Sequence, residues 1–377
     1  MSRSPSAQSS RAGLTLRVVR EAAELAALSA DWADLYARSS AATPFQSFGW
    51  LRSWWRVYGT PGRLRVFLAH RGGRLVAAAP FRLEYRSGCR ALTPVGGAQS
   101  DFTDIVVDDS EGDAGLGELR AALLTQPGWD VIDLPEVRPG AAAGRLAELW
   151  AGRTWTLPAS TCLQLPGRPV DEVLAGLSTR RARRLRSALR KLDALDVSAV
   201  SVGPDQVERA MTELLRLHAL QWANRPINAQ HTQPRFMDHL VRAARAMVAD
   251  GHAALTEYRI RGRLLASDFV VVGKDFVGGY LYGVHPELRA EVDVLTMLLR
   301  QNLGIAHRLG KPVLSMLRGD EPYKAKWECL AVANRRVLLG HGVRASGYAA
   351  TAGMRRATRD LLRRRCPRLA ERVATWR

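Results

Sequence analysis

The chain holds only four cysteines, Cys89, Cys162, Cys329 and Cys366, scattered through 377 residues. None stands in a CxxC pair, which argues against a disulfide scaffold or a cysteine-rich zinc site and for a reducing cytoplasm. Lysine is scarce, at positions 191, 274, 311, 324 and 326 alone. No segment approaches the roughly 18 uninterrupted apolar residues of a membrane span. The first thirteen residues, MSRSPSAQSSRAG, lack an apolar core and read as a disordered tail, not a signal peptide.

What is present points to a large folded body. The composition is 47% hydrophobic, and the length exceeds the prior for one ordinary domain, so two domains or one domain doubled are expected. Against 36 acidic residues stand 55 basic ones, a formal charge of +19. That favours an anionic partner: a nucleotide cofactor, an anionic lipid surface or a nucleic acid. Arginine-rich usage typical of GC-rich genomes accounts for part of the excess, but not for its clustering.

An internal repeat supports doubling. HRGGRLVAAAPFRL (70–83) and RIRGRLLASDFVVV (259–272) each start an apolar run with Gly-Arg-Leu, from Gly73 and Gly262. In both halves an apolar run, 64–69 or 253–260, precedes the glycine turn, a hairpin signature. A helical run and a short strand then follow: 116–124 before 129–134, and 294–309 before 313–317. The order β, β, helix, β occurs twice.

Between the halves, residues 178–195 read as a helix capped by Ser178, with Leu185, Leu189 and Leu192 on one stripe. Its cations, Arg180, Arg181, Arg183, Arg184, Arg186, Arg190 and Lys191, repel one another, which calls for an anionic neighbour. A second helix, 204–222, places His218 and Trp222 on one face, either as packed core or as part of a site. After Val343, RASGYAATAG reads as a linker to a basic amphipathic tail, 354–376, broken at Cys366-Pro367. The tail either docks on the protein or lies on an anionic membrane surface.

The densest chemistry is RGDEPYKAKW, 318–327, directly after a strand candidate, where a rigid sheet can aim side chains. Tyr323 is the candidate general acid, and Asp320 or Glu321 the proton acceptor. Asp268, inside ASDFVVV, is a further base or the partner of an arginine. Lys324 and Lys326 share a face in an extended chain beside Trp327, suited to an anionic group or to solvent. Trp50 and Trp54 share a helical face that either lines a sugar or lipid groove or packs in the core.

Five segments occur in one order: FQSFGWLRSWWRVYG (45–59), SDFTD (100–104), the arginine helix (178–195), LHALQW (217–222) and RGDEPYKAKW. Together, over about residues 14–342, they resemble the CelD-like acetyltransferases of the GNAT superfamily, named for cellulose biosynthesis and related to Fem-type aminoacyl and peptidyl transferases. The resemblance implies an α+β fold of tandem GNAT-like units, each a mostly antiparallel twisted sheet flanked by helices. The first unit (14–168) is degenerate and the second (169–345) holds the site, with the linker and basic helix at 346–377.

Acetyl-CoA or another acyl-CoA is the implied donor, its pantetheine arm pairing with the strand GGYLYGVHP near Tyr282, Gly283 and Val284. The family usually has a glycine where the next helix meets the pyrophosphate. Here none stands between Gly283 and Gly304, while Glu291 and Asp293 add negative charge. Arg289, Arg300 or Lys324 would then hold the cofactor. Trp50, Trp54, Asp101, His218, Trp222, Lys326 and Trp327 are the substrate-binding candidates.

Three functions follow as expectations. One is acyl transfer to an amine or hydroxyl of an envelope or glycan precursor or a small metabolite, by a cytoplasmic protein or one peripheral at the inner membrane face. Another is Fem-type transfer from charged tRNA. The third is a binding scaffold that has lost its cofactor.

Overall fold

Each Gly-Arg-Leu turn closes a hairpin in the computed structural model, which describes residues 14–222, 229–319 and 321–365. The two turn residues have positive φ in both copies, Gly72 and Gly73 in the first, Arg261 and Gly262 in the second. That is the twist a two-residue hairpin needs.

The first half runs β1 (Leu14–Val19), α1 (Ala22–Ala27), α2 (Ser29–Ala37), α3 (Phe48–Tyr58), β2 (Leu64–Arg71), β3 (Arg74–Arg86) and β4 (Cys89–Pro94). It continues with β5 (Val106–Val107), α4 (Gly112–Thr125), β6 (Val131–Val137), α5 (Ala142–Glu148) and β7 (Arg153–Pro166). The second half runs α6 (Val170–Ala175), α7 (Thr179–Ala194), β8 (Ser198–Ser201), α8 (Val207–Trp222), α9 (Pro234–Ala249), β9 (Ala253–Ile260), β10 (Arg263–Val272) and β11 (Phe276–Val284). It ends with α10 (Pro286–Glu291), α11 (Val294–Arg308), β12 (Val313–Arg318), β13 (Leu330–Gly340) and α12 (Gly342–Arg365).

One sheet collects all the strands in the order β1-β2-β3-β4-β6-β13-β7-β12-β11-β10-β9-β8, with β5 beside β3. Taken inward from its two ends, the order repeats: 1-2-3-4-6 from one side, 8-9-10-11-12 from the other. The halves exchange their last strands. β13 pairs with β6, β7 pairs with β12, and β7 and β13 pair along most of their lengths at the centre. Among the described residues, only β4–β6 and β11–β12 are parallel pairs. This is the doubling that the repeat implied, in the mixed, mostly antiparallel form that the resemblance implied.

The arginine helix α7 turns Ala182, Leu185, Leu189 and Leu192 inward, as its pattern required. Ser178 precedes it without a capping bond; its hydroxyl instead donates to Glu328 Oε1 at 3.0 Å. The expected linker after Val343 is a correction, because α12 runs straight through it. Alanine is the best helix former, and Ala345, Tyr348, Ala349 and Ala352 are buried against the sheet. Tyr348 donates to Asp133 Oδ2 at 2.6 Å. The end of the basic tail, 366–377, lies outside the described residues. Among those described, no helix is long and apolar enough to cross a membrane.

Candidate active site

β11 and β12 pair at only three positions, Phe276↔Val313, Val277↔Leu314 and Gly278↔Ser315, and then part. Leu317, with φ +51°, sits where the β12–β7 register slips, and it re-aims the chain that follows. In the first copy, β4 and β6 pair at Ala91↔Val131 and Leu92↔Ile132, and Glu136 has φ +57°. Each copy therefore opens a wedge between a parallel strand pair.

The RGDEPYKAKW turn borders the second wedge. Gly319, at φ +121°, begins it, and Pro322–Trp327 form a 3-10 helix. Lys324 and Lys326 are thus not on an extended strand. Lys324 is buried: its Nζ meets Glu321 Oε2 at 2.7 Å and donates to the Gly319 carbonyl at 3.1 Å and the Met316 carbonyl at 3.5 Å. All three ammonium donors are engaged, so Lys324 pins the turn.

Tyr323 stands half exposed on that pinned turn, at 49%. Burial of its inner part raises its pKa, and Glu321 and Tyr282 push the same way while Arg289 opposes them. The phenol stays protonated across neutral pH, as a proton donor requires. Burial raises the Tyr282 phenol too, again with Arg289 opposing. Tyr323, Glu321, Tyr282 and Arg289 therefore lie within electrostatic reach of one another. Asp320 lies outside the described residues.

The strand edge facing the wedge is already engaged. His218 Nδ1 donates to the Tyr282 carbonyl at 2.7 Å, and the Val284 N–H donates to Gln221 Oε1 at 3.1 Å. A carbonyl only accepts, so the His218 proton is on Nδ1, and its Nε2 faces His231 Nδ1 at 3.3 Å. Burial lowers both histidines, His231 to about 4, which keeps the pair neutral. Gly283 lets α8 close in: a Cβ there would lie 2.4 Å from the Leu214 carbonyl oxygen and 2.5 Å from the His218 nitrogen.

The segment after β11 is also self-contained. α10 and the extended Val292 separate the strand from α11, and Asp293 caps α11 by accepting the Thr296 N–H at 3.2 Å. Its second carboxylate oxygen pairs with Lys326. Coenzyme A needs a free strand edge for its pantetheine arm and open N–H groups for its pyrophosphate. The chain's own side chains use both places, and no glycine cradle stands between Gly283 and Gly304. These residues do not fit coenzyme A in the manner the resemblance implies.

The remaining candidates disperse. Asp268 is buried, and its carboxyl is pushed up to about 7 by that burial; Asn302 donates to it at 2.7 Å, and no arginine pairs with it among the described residues. Trp50 and Trp54 are core, donating to Ser100 Oγ and Gln99 Oε1, both at 2.8 Å. Asp101 pairs with Arg318, tying the end of β12 to the first copy. Trp327 is fully buried and Arg300 binds Asp193. Trp222 ends α8, and its side chain lies outside the described residues.

Sequence reasoning passed over Gln221, His231 and Arg318. Gln221 had a signal: it stands three residues after His218 on one helical face. His231 and Arg318 act through partners distant in sequence, which no local pattern shows.

Residues 179–325 match the acetyltransferase (GNAT) domain family. That span runs from α7 to the Tyr323 turn, so the GNAT match contains the whole second wedge. The GNAT match supports an acyltransferase. No curated protein matches the sequence. In fold, the chain is similar to FemX (TM-score 0.56, 10% identity, covering 82% of this chain and 95% of that one). It is also similar to L-PGS from Bacillus licheniformis (TM-score 0.55, 10% identity, 88% and 96%). A third likeness is to the C-terminal domain of a putative lysylphosphatidylglycerol synthetase from Agrobacterium fabrum (TM-score 0.54, 11% identity, 89% and 96%).

Proposed function

We propose that the second copy transfers an acyl group from an activated carrier to an amine or hydroxyl acceptor at the mouth of the β11–β12 wedge. The observation that carries this reading is the half-exposed Tyr323 on a turn pinned by Lys324, within electrostatic reach of Tyr282, Glu321 and Arg289 and inside the GNAT-matched span. The acceptor nitrogen or oxygen attacks the acyl carbon and gives up a proton to Glu321. The bond to the carrier breaks, and the carrier leaves with the Tyr323 proton, which solvent replaces. Arg289 holds an anionic part of either partner. The CelD-like resemblance supports an acceptor among glycan or envelope precursors and small metabolites.

Acyl-CoA is the donor that the resemblance suggests, and charged tRNA is the second reading. One observation favours the second: Arg180, Arg183, Arg184, Arg186, Arg190 and Lys191 are exposed on α7 with no acidic partner among the described residues. A phosphate backbone is suited to that face, which lies beside the site through the Arg181–Glu328 pair.

The test is transfer by the purified full chain from a panel of labelled carriers, acyl-CoAs and aminoacyl-tRNA, to small amines and sugars. Tyr323→Phe is expected to lower the rate about 100-fold or more while melting is unchanged. Full activity in that variant would remove Tyr323 as the acid, and no transfer from any carrier would sink the reading.

A further inference from the structure

We infer that the second copy excludes coenzyme A as its acyl carrier, because Asp293 with Lys326 and His218 with Gln221 take its two anchoring places. The copy then draws its acyl group from a carrier that has no pyrophosphate joined to a pantetheine arm. The inference rests on the acyl-transfer reading above, and names which carrier that site rejects.

At the phosphate end, the N-terminus of α11 attracts anions through its N–H groups and its dipole. Asp293 already supplies that anion, and Lys326, the nearest cation, is neutralised by it. Pro286 has no N–H to offer, and of the α10 carboxylates Glu287 is paired with Arg263 while Glu291 adds negative charge. A pyrophosphate would meet a carboxylate where it needs bare donors.

At the other end, the closure is made by a packed helix and not by loose side chains. His218 and Gln221 reach the Tyr282 carbonyl and the Val284 N–H from α8. The α8 backbone lies against Gly283 so closely that even a methyl group there would collide with the Leu214 carbonyl. An arm pairing with β11 would have to displace two hydrogen bonds, one buried and one part-buried, leaving His218 and Gln221 to find new partners.

Two titrations of the full chain test this. Calorimetry with coenzyme A and with acetyl-CoA is expected to show no saturable binding up to about 1 mM. Asp293→Ser keeps a good helix cap but removes the charge and frees Lys326. It is expected to bind inorganic pyrophosphate at least about tenfold more tightly than the unaltered chain. Saturable binding of coenzyme A by the unaltered chain overturns the inference, as does equal pyrophosphate affinity in the two proteins. Both results are read without turnover, so failure of transfer from every carrier would defeat the acyl-transfer reading separately.

Discussion

The two wedges of this molecule start alike and are filled differently. In the first copy, the chain after β4 folds back, and the Thr103 N–H donates to the Glu136 carbonyl at 3.0 Å, so backbone bridges the opening. Trp50 and Trp54 hold that loop from α3, and Phe102 is buried within it. In the second copy, side chains of α8 meet one lip, and Tyr323 stands half exposed at the other. A wedge closed by its own main chain is a structural element. One bordered by side chains places titratable groups at its rim.

That difference can be broken from either side. The largest effect is expected from Trp50→Ala, which removes a fully buried indole and its bond to Ser100; a loss of about 4 kcal/mol by urea unfolding is expected. A loss below about 1 kcal/mol would show that the first wedge does not depend on α3.

Next comes a pair of buried carboxyls, Asp104 in the first copy and Asp268 in the second, each pushed up to about 7 mainly by burial. A carboxyl that binds its proton more tightly when folded stabilises the fold least at high pH, so stability falls as pH rises from about 4 to about 7. Asp104 accepts three backbone N–H bonds, including those of Ala142 and Ala143 at the start of α5, whereas among the described residues Asp268 accepts only the Asn302 amide. Asp268→Asn is therefore expected to gain roughly 2 kcal/mol at pH 8 and to flatten that slope, while Asp104→Asn loses stability. Melting curves across the range decide it; a destabilised Asp268→Asn at pH 8 would mean that its charge is used.

The smallest effect is expected from Gln221→Ala, about 1 kcal/mol, since the Val284 N–H loses its bond to the Gln221 amide. A cost as large as that of Trp50→Ala would make the second wedge as firmly closed as the first.

Much of this was legible in the chain because it is local. Gly-Arg-Leu at two places marked both hairpins, and the leucines of α7 marked its buried stripe. The exchange of β7 and β13 left no trace, because strand pairing across the chain has no short-range signature. RASGYAATAG read as a linker from its small residues, yet alanines facing a sheet make a helix. Lys324 read as a cation for a cofactor phosphate or for solvent, because its actual partners are two carbonyls and a carboxylate that only the folded turn brings together. Asp268 met an amide and not an arginine for the same reason: Asn302 arrives from α11.

The crossed strands also determine what happens to the protein in pieces. Severed between Pro166 and Val170, the first piece keeps β7, whose two neighbours are β12 and β13, and the second keeps β13, whose two neighbours are β6 and β7. Each fragment would carry a long strand with nothing to pair with in its own chain, so the pieces act as each other's template. Co-expression is the route by which they would reassemble, and a single fragment made alone would present that strand to copies of itself.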